Sequence, residues 1–206
     1  MDSRLFLALW PDSAAVEALA GILAPARQEA ADVRWQPPER WHITMAFLGQ
    51  ADPERTGRRV ITHVATRLPA PAPIRLGLPG TFGPIIWVGV EHGPWLAELA
   101  RGLQGVLRVA DRRFRAHVTV GRVRGPDGSA RAREVVPLLS PLAGPAWTPT
   151  ELTMVASTIG PAPEYRILER WPLGHAPAEE PLPRTGDDAP DGEMSDSVEP
   201  ESLEDQ

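Results

Sequence analysis

The chain contains no cysteine and no lysine. Without thiols there can be no disulfide, no zinc–thiolate or iron–sulfur centre and no cysteine nucleophile. Without lysine there is no Schiff base and no phosphate-binding loop of the type that requires one. Aromatic residues make up only 6 %, with a single tyrosine. No apolar run approaches the roughly 18 residues needed to span a membrane. The apolar segment that follows Met1 lacks the length and the small-residue cleavage site of a signal peptide. A cytoplasmic protein without membrane association is the simplest expectation.

The 206 residues are 42 % hydrophobic, which suits one domain, or two half-size lobes sharing a core. The net charge of −6 is unevenly placed. Residues 175–206 carry 11 acidic side chains and one arginine, whereas residues 1–174 hold 20 arginines and 16 acids. The expected folded domain, 1–174, is therefore mildly basic. Residues 175–206 combine proline and acid with no aromatic residue. They bury too little apolar surface to offset chain entropy, so a disordered acidic tail is predicted. All 21 basic residues are arginine, whose planar fork binds phosphate bidentately. This usage, with the alanine and proline load, suggests a GC-rich bacterial genome. Nothing argues for an oligomer, and a monomer is expected.

Up to residue 174, short strand patterns alternate with amphipathic helical ones. Residues 4–9 form an apolar strand stopped by Trp10-Pro11-Asp12. Asp12 or Ser13 can cap a helix over 14–30 with Val16, Leu19, Ala20 and Leu23 on one face. A strand follows at 42–48, then a helix begun by Asp52-Pro53 that turns Val60, Ile61 and Val64 inward. Strands are expected at 74–78 and 85–90, a helix from Pro94 with Leu96, Leu99, Leu103, Val106 and Leu107 in one stripe, and a strand at 117–123. A weak helix at 130–139 and strands at 151–157 and 165–173 complete the domain. This order implies an α+β fold, mostly antiparallel with helices outside.

Two strands resemble each other. His42-Ile43-Thr44 recurs 75 residues later as His117-Val118-Thr119, consistent with a degenerate duplication in which each lobe donates one histidine and one threonine to a central cleft. On a strand, residues two apart share a face. His42 and Thr44 therefore project together, opposite Ile43, Met45 and Phe47, and His117 and Thr119 project opposite Val118 and Val120. A single His-x-Thr carries little meaning, because strand histidines are commonly core residues. Two copies in apolar strands suggest an acid–base pair with hydroxyls between, suited to in-line displacement at phosphorus. Histidine can act as acid or base near neutral pH, and the threonines can donate to the non-bridging oxygens. A metal would need a third ligand from His63, His92, His175 or a carboxylate, and none lies at a recognisable spacing. No metal and no other cofactor is implied. Trp10, Trp35, Trp41, Phe82 and Trp87 are candidates to stack a base, with Tyr165 ambiguous. Arg112-Arg113-Phe114-Arg115 is a candidate contact to an RNA backbone. His63 and His92 are expected to be exposed.

These segments together resemble the two-histidine (2H) phosphoesterase superfamily, and within it the bacterial RNA 2′,3′-cyclic phosphodiesterases, also called 2′-5′ RNA ligase-like proteins. The matching stretches are 4–9 (RLFLAL), 42–49 (HITMAFLG), 85–90 (IIWVGV), 95–103 (WLAELARGL), 114–122 (FRAHVTVGR) and 165–173 (YRILERWPL). The resemblance implies a bilobal, pseudo-duplicated fold acting on RNA ends or nucleoside 2′,3′-cyclic phosphates without metal. It implies that His117 activates water, that His42 protonates the departing 3′ oxygen to leave a 2′-phosphate, and that Thr44 and Thr119 hold the phosphate. Arg122 matches a family arginine that contacts phosphate, although strict alternation puts it on the face opposite His117 unless a bulge near Gly121 rotates it back. Ala116 stands where the family usually has proline. Reversible 2′-5′ ligation, a small-molecule cyclic phosphodiesterase and a non-catalytic nucleotide-binding module are the competing readings.

Overall fold

The computed structural model describes residues 3–67, 70–109, 114–139, 144–158 and 163–174. The predicted tail at 175–206 lies outside them, as do Arg112, Arg113 and His175. In chain order the elements are β1 (Ser3–Leu9), α1 (Ser13–Glu29), β2 (Arg34–Trp35), β3 (Ile43–Gly49), α2 (Pro53–Arg67), β4 (Ile74–Phe82), β5 (Ile85–Glu91), α3 (Pro94–Leu107), β6 (His117–Arg122), α4 (Gly128–Val135), β7 (Ala146–Trp147), β8 (Glu151–Thr158) and β9 (Tyr165–Pro172). The two-residue strands β2 and β7 are too short to leave a periodic signal, and were not expected.

Every strand pairing is antiparallel, in the order β7-β4-β5-β6-β3-β1-β8-β9 with β2 on β6. Leaving aside the two-residue β2, the sheet divides into two four-stranded halves, each led at the seam by the strand that carries a His-x-Thr. They join through one residue pair, Ile43 with Val118. The helices tie the halves together. α1 leaves β1 yet packs on β4 of the other half, and α3 leaves β5 yet packs on β3. α2 lies on α3 and β9, and α4 on β4 and β5. This is the α+β architecture expected, with the lobes interlocked rather than strung in series.

Local chemistry explains the helices. Asp12 caps α1 by accepting from the Ala15 N–H at 2.8 Å, and Ala15, Leu19, Leu23 and Ala26 form its buried stripe. Pro25 sits inside α1, where it has no N–H to donate to the Gly21 carbonyl one turn earlier. Gly93-Pro94 starts α3, and Leu96, Leu99, Leu103 and Leu107 are its buried stripe. On α2, Val60 is fully buried but Ile61 is 50 % exposed. One residue turns the helix by about 100°, which carries Ile61 off the inner face; the side chain of Val64 lies outside the described set. His63 is half-buried rather than exposed. Its imidazole faces Gly102 of α3, where a Cβ would come within 2.5 Å of Nε2.

α3 ends on Arg108 in the left-handed conformation, with φ 54°. A side chain is strained there, whereas glycine is not. Arg108→Gly is expected to stabilise the protein by about 0.5–1 kcal/mol in urea unfolding, the usual gain at a left-handed helix terminus less the extra entropy of an unfolded glycine.

Candidate active site

The seam between the halves sets the site. Ile43 and Val118 face the core, fully buried and directly opposite one another. Continuing that antiparallel register by one residue each way sets His42 opposite Thr119 and Thr44 opposite His117. The two histidines thus lie on a diagonal, with Cα atoms about 7–8 Å apart by ordinary sheet geometry. All four side chains are half-buried on the cleft face.

Both imidazoles are held in the same way. His42 Nδ1 lies 2.8 Å from the Arg40 carbonyl oxygen, and His117 Nδ1 lies 2.7 Å from that of Arg115. A carbonyl can only accept, so each Nδ1 carries the proton and each Nε2 is left free for chemistry. The carbonyl belongs to the residue two before the histidine in both copies. The repeat is therefore Arg-x-His-x-Thr: Arg40 to Thr44 and Arg115 to Thr119.

Rings surround each histidine. His42 stacks on Phe6 at 4.7 Å between centroids and meets Trp10 at 5.4 Å and Tyr165 at 5.6 Å. His117 meets Phe82 at 5.1 Å and Trp87 at 6.0 Å, both edge to face. An arginine caps each wall: Arg40 lies over Tyr165 at 5.8 Å, and Arg115 over Phe82 at 5.8 Å and Trp87 at 5.4 Å. Under His42 the floor is a small apolar cluster of Phe6, Ala8 and Val155, separate from the main core. Thr153, fully buried, accepts from the Trp10 indole N–H at 2.8 Å and donates to the Ala8 carbonyl at 3.1 Å, fixing that wall.

Burial among these rings disfavours a charged imidazole. It pushes His42 down to about 4, against the pull of the Arg40 carbonyl, with neighbouring His117 adding to the fall. His117 is lowered too, by burial first, with the Arg115 charge in the same direction and its carbonyl opposing. Burial raises Tyr165, which Arg40 partly offsets.

Each histidine strand bulges at the residue after its threonine. On β3, Ala8 pairs with Thr44 and Leu7 with Ala46, which leaves Met45 as the extra residue. On β6, Trp87 pairs with Thr119 and Ile86 with Gly121, which leaves Val120. Met45 and Ala46, like Val120 and Gly121, are both buried. The face therefore switches one residue late. Arg122, exposed opposite Ile85, returns to the side of His117 and Thr119. The same slip corrects the expectation that Phe47 joins the core. Phe47 pairs with Phe6 on the cleft side and is 57 % exposed.

Among the other candidates, Trp41 is fully buried in the core and cannot stack a base. Trp35 donates to the Ala30 carbonyl and covers Gly121, where a Cβ would come within 3.1 Å of its ring. Trp87 is 8 % exposed, pressed on Gly80. Phe82 is 39 % exposed at the rim. His92 is exposed, beside Phe114. Among the described residues, no group of three or more His, Cys, Asp or Glu side chains is placed to hold a metal, and no helix is long and apolar enough to cross a membrane. Sequence reasoning passed over Arg40, although its place two residues before His42 repeats that of Arg115. Phe6 and Val155 left no signal, since an apolar residue in a strand reads the same on either face.

Comparison with known proteins bears on the family and the fold. The family model described as the 2′-5′ RNA ligase superfamily matches residues 9–158. The RNA 2′,3′-cyclic phosphodiesterase of Methanothermobacter thermautotrophicus is 26 % identical over 185 residues, covering 84 % of this chain and all of the relative. That of Archaeoglobus fulgidus is 31 % identical over 130 residues, covering 59 % of this chain and 73 % of the relative. The crystal structure of E. coli LigT complexed with phosphate superposes with a TM-score of 0.64 at 24 % identity, covering 84 % of this chain and 98 % of LigT. With the family model spanning both His-x-Thr strands and the fold shared, the chain belongs to the 2′-5′ RNA ligase superfamily of two-histidine phosphoesterases.

Proposed function

We propose that the protein hydrolyses RNA 2′,3′-cyclic phosphate ends to 2′-phosphates by metal-free acid–base catalysis. The observation that carries this reading is the mirrored pair of imidazoles, each with Nδ1 tied to a carbonyl and Nε2 free, facing one cleft. Water attacks phosphorus and gives its proton to His117 Nε2. The bond from phosphorus to O3′ breaks, and His42, made imidazolium beside the negative charge of the bound phosphate, delivers its Nε2 proton to the departing oxygen. The product carries a 2′-phosphate and a free 3′-hydroxyl, and the two histidines have exchanged protonation states. Thr44 and Thr119, one opposite each histidine, donate to the non-bridging oxygens as charge builds there. Arg122, on the same face of β6, holds the phosphate from the side of His117. Relatives named RNA 2′,3′-cyclic phosphodiesterase, and the phosphate complex of E. coli LigT, support the reaction class.

The test is incubation of the protein with a nucleoside 2′,3′-cyclic phosphate in EDTA, with the two monophosphates resolved. The expected product is the 2′-monophosphate. A 3′-monophosphate would reverse the assignment of the leaving oxygen, and turnover lost in EDTA but restored by a divalent cation would overturn the metal-free mechanism.

A further inference from the structure

On the helix side of the sheet, a cavity of about 340 Å³ opens where the end of β3 meets the start of α2 and the end of α3. Its lining shares no residue with the cleft. The floor is apolar: Leu48, on the strand face opposite Phe47, with Leu107 and Val109. Arg55 and Arg59, one helical turn apart on α2, line it together with Arg108 at the end of α3. None of these three arginines has an ion-pair partner among the described residues. The one carboxylate in the lining is Asp52, one oxygen of which accepts from the Arg55 N–H at 2.7 Å. The lining side chains therefore carry a net charge of +2 over an apolar floor. A second observation concerns Arg108, whose φ of 54° is one that glycine adopts at lower cost. An arginine held there against stability is accounted for by a ligand that needs its side chain.

We propose that this cavity is a second binding site, for a small phosphomonoester of nucleotide size. The charge selects the ligand class. A phosphomonoester carries about −1.5 to −2 at neutral pH, which three guanidinium groups and one carboxylate balance. Arginine forks take phosphate oxygens bidentately, so Arg55, Arg59 and Arg108 hold the phosphoryl group. The arginines rather than the helix start carry the anion: Pro53 has no N–H, and those of Arg55 and Thr56 already go to Asp52. The second Asp52 oxygen is left to accept from a hydroxyl of the ester, and the apolar floor covers its organic part. The volume falls at the lower end of the range for small-molecule sites, about 300–1,000 Å³.

The test is a titration of the full chain, isotopically labelled at arginine, followed by NMR through the side-chain Nε–H resonances. Arg55→Gln, Arg59→Gln and Arg108→Gly each remove one signal and so assign it. Adenosine 5′-monophosphate is expected to shift all three signals together, with a single dissociation constant. Arg59→Gln should weaken that constant about tenfold, the worth of one charged hydrogen bond. Arg108→Gly should weaken it similarly while raising the urea midpoint, a combination that a purely structural arginine does not give. Arg101→Gln removes a charge from α3 outside the cavity and serves as the control, leaving the constant within about twofold. Shifts confined to Arg40, Arg115 and Arg122 would put the ligand in the cleft and overturn the second site. Inorganic phosphate bound as tightly as the nucleotide would overturn the role of the apolar floor. Dimethyl phosphate bound as tightly would overturn the selection of a phosphomonoester. None of these outcomes is read from turnover, so failure of the cyclic phosphodiesterase reading leaves them all decisive.

Discussion

Replacing either His42 or His117 by alanine is expected to lower kcat on a nucleoside 2′,3′-cyclic phosphate by about 10³–10⁴-fold, the upper part of what one general acid or base supplies. The double variant should be barely worse than either single one, because the two groups pass one proton through one transition state and act as a unit. Glutamine tests position against proton transfer. Its amide can still donate to the Arg40 or Arg115 carbonyl but cannot cycle a proton, so His42→Gln and His117→Gln should be as inactive as the alanine variants. The roles separate with a phosphodiester that has a 4-nitrophenolate leaving group. That group departs without a proton, so His42→Ala should recover most of its loss on this substrate while His117→Ala stays inactive. Equal recovery by both variants, or by neither, would remove the assignment of His42 as the acid.

The pairing of the two His-x-Thr strands was legible because a two-residue period needs no knowledge of what lies opposite. α1 and α3 were legible for a similar reason: their caps and buried stripes are written within single segments, Asp12 to Ala26 and Gly93 to Leu107. Illegible features depended on partners. The bulges at Met45 and Val120 arise from registry with β1 and β5, so the alternation of β3 and β6 alone assigned Phe47 to the core and left Arg122 undecided. The crossing of α1 and α3 to the opposite half is equally invisible, because an amphipathic stripe does not say which sheet it covers. Trp41 and Trp10 make the point at the site itself. Both flank a strand in sequence, yet one is sealed in the core and the other walls His42.

Stability should fall steeply between pH 6.5 and 4, and His42 should be the main cause. In the unfolded chain its imidazole takes up a proton near 6.5, whereas in the folded cleft burial among Phe6, Trp10 and Tyr165 delays uptake until about 4. Over that window the unfolded state binds more protons, so stability is complete above the window and is lost as pH falls through it. A displacement of this size corresponds to about 3 kcal/mol. His117, lowered for the same first reason, adds with the same sign. The Asp32–Arg131 ion pair does not interfere, since Asp32 is held below its ordinary 3.8 and titrates under the window. Urea midpoints measured at steps from pH 7 to 4 should therefore slope for the wild type and flatten for His42→Gln. The same protons shape the activity. Because kcat/KM reports the free protein, both limbs of its bell should lie below 6.5, whichever histidine carries the proton. A bound cyclic phosphate brings a negative charge between the imidazoles and raises both, so the kcat optimum should sit at higher pH than that of kcat/KM. Coincident optima, or a urea midpoint as steep in His42→Gln as in the wild type, would show that ring burial does not govern the protonation of His42.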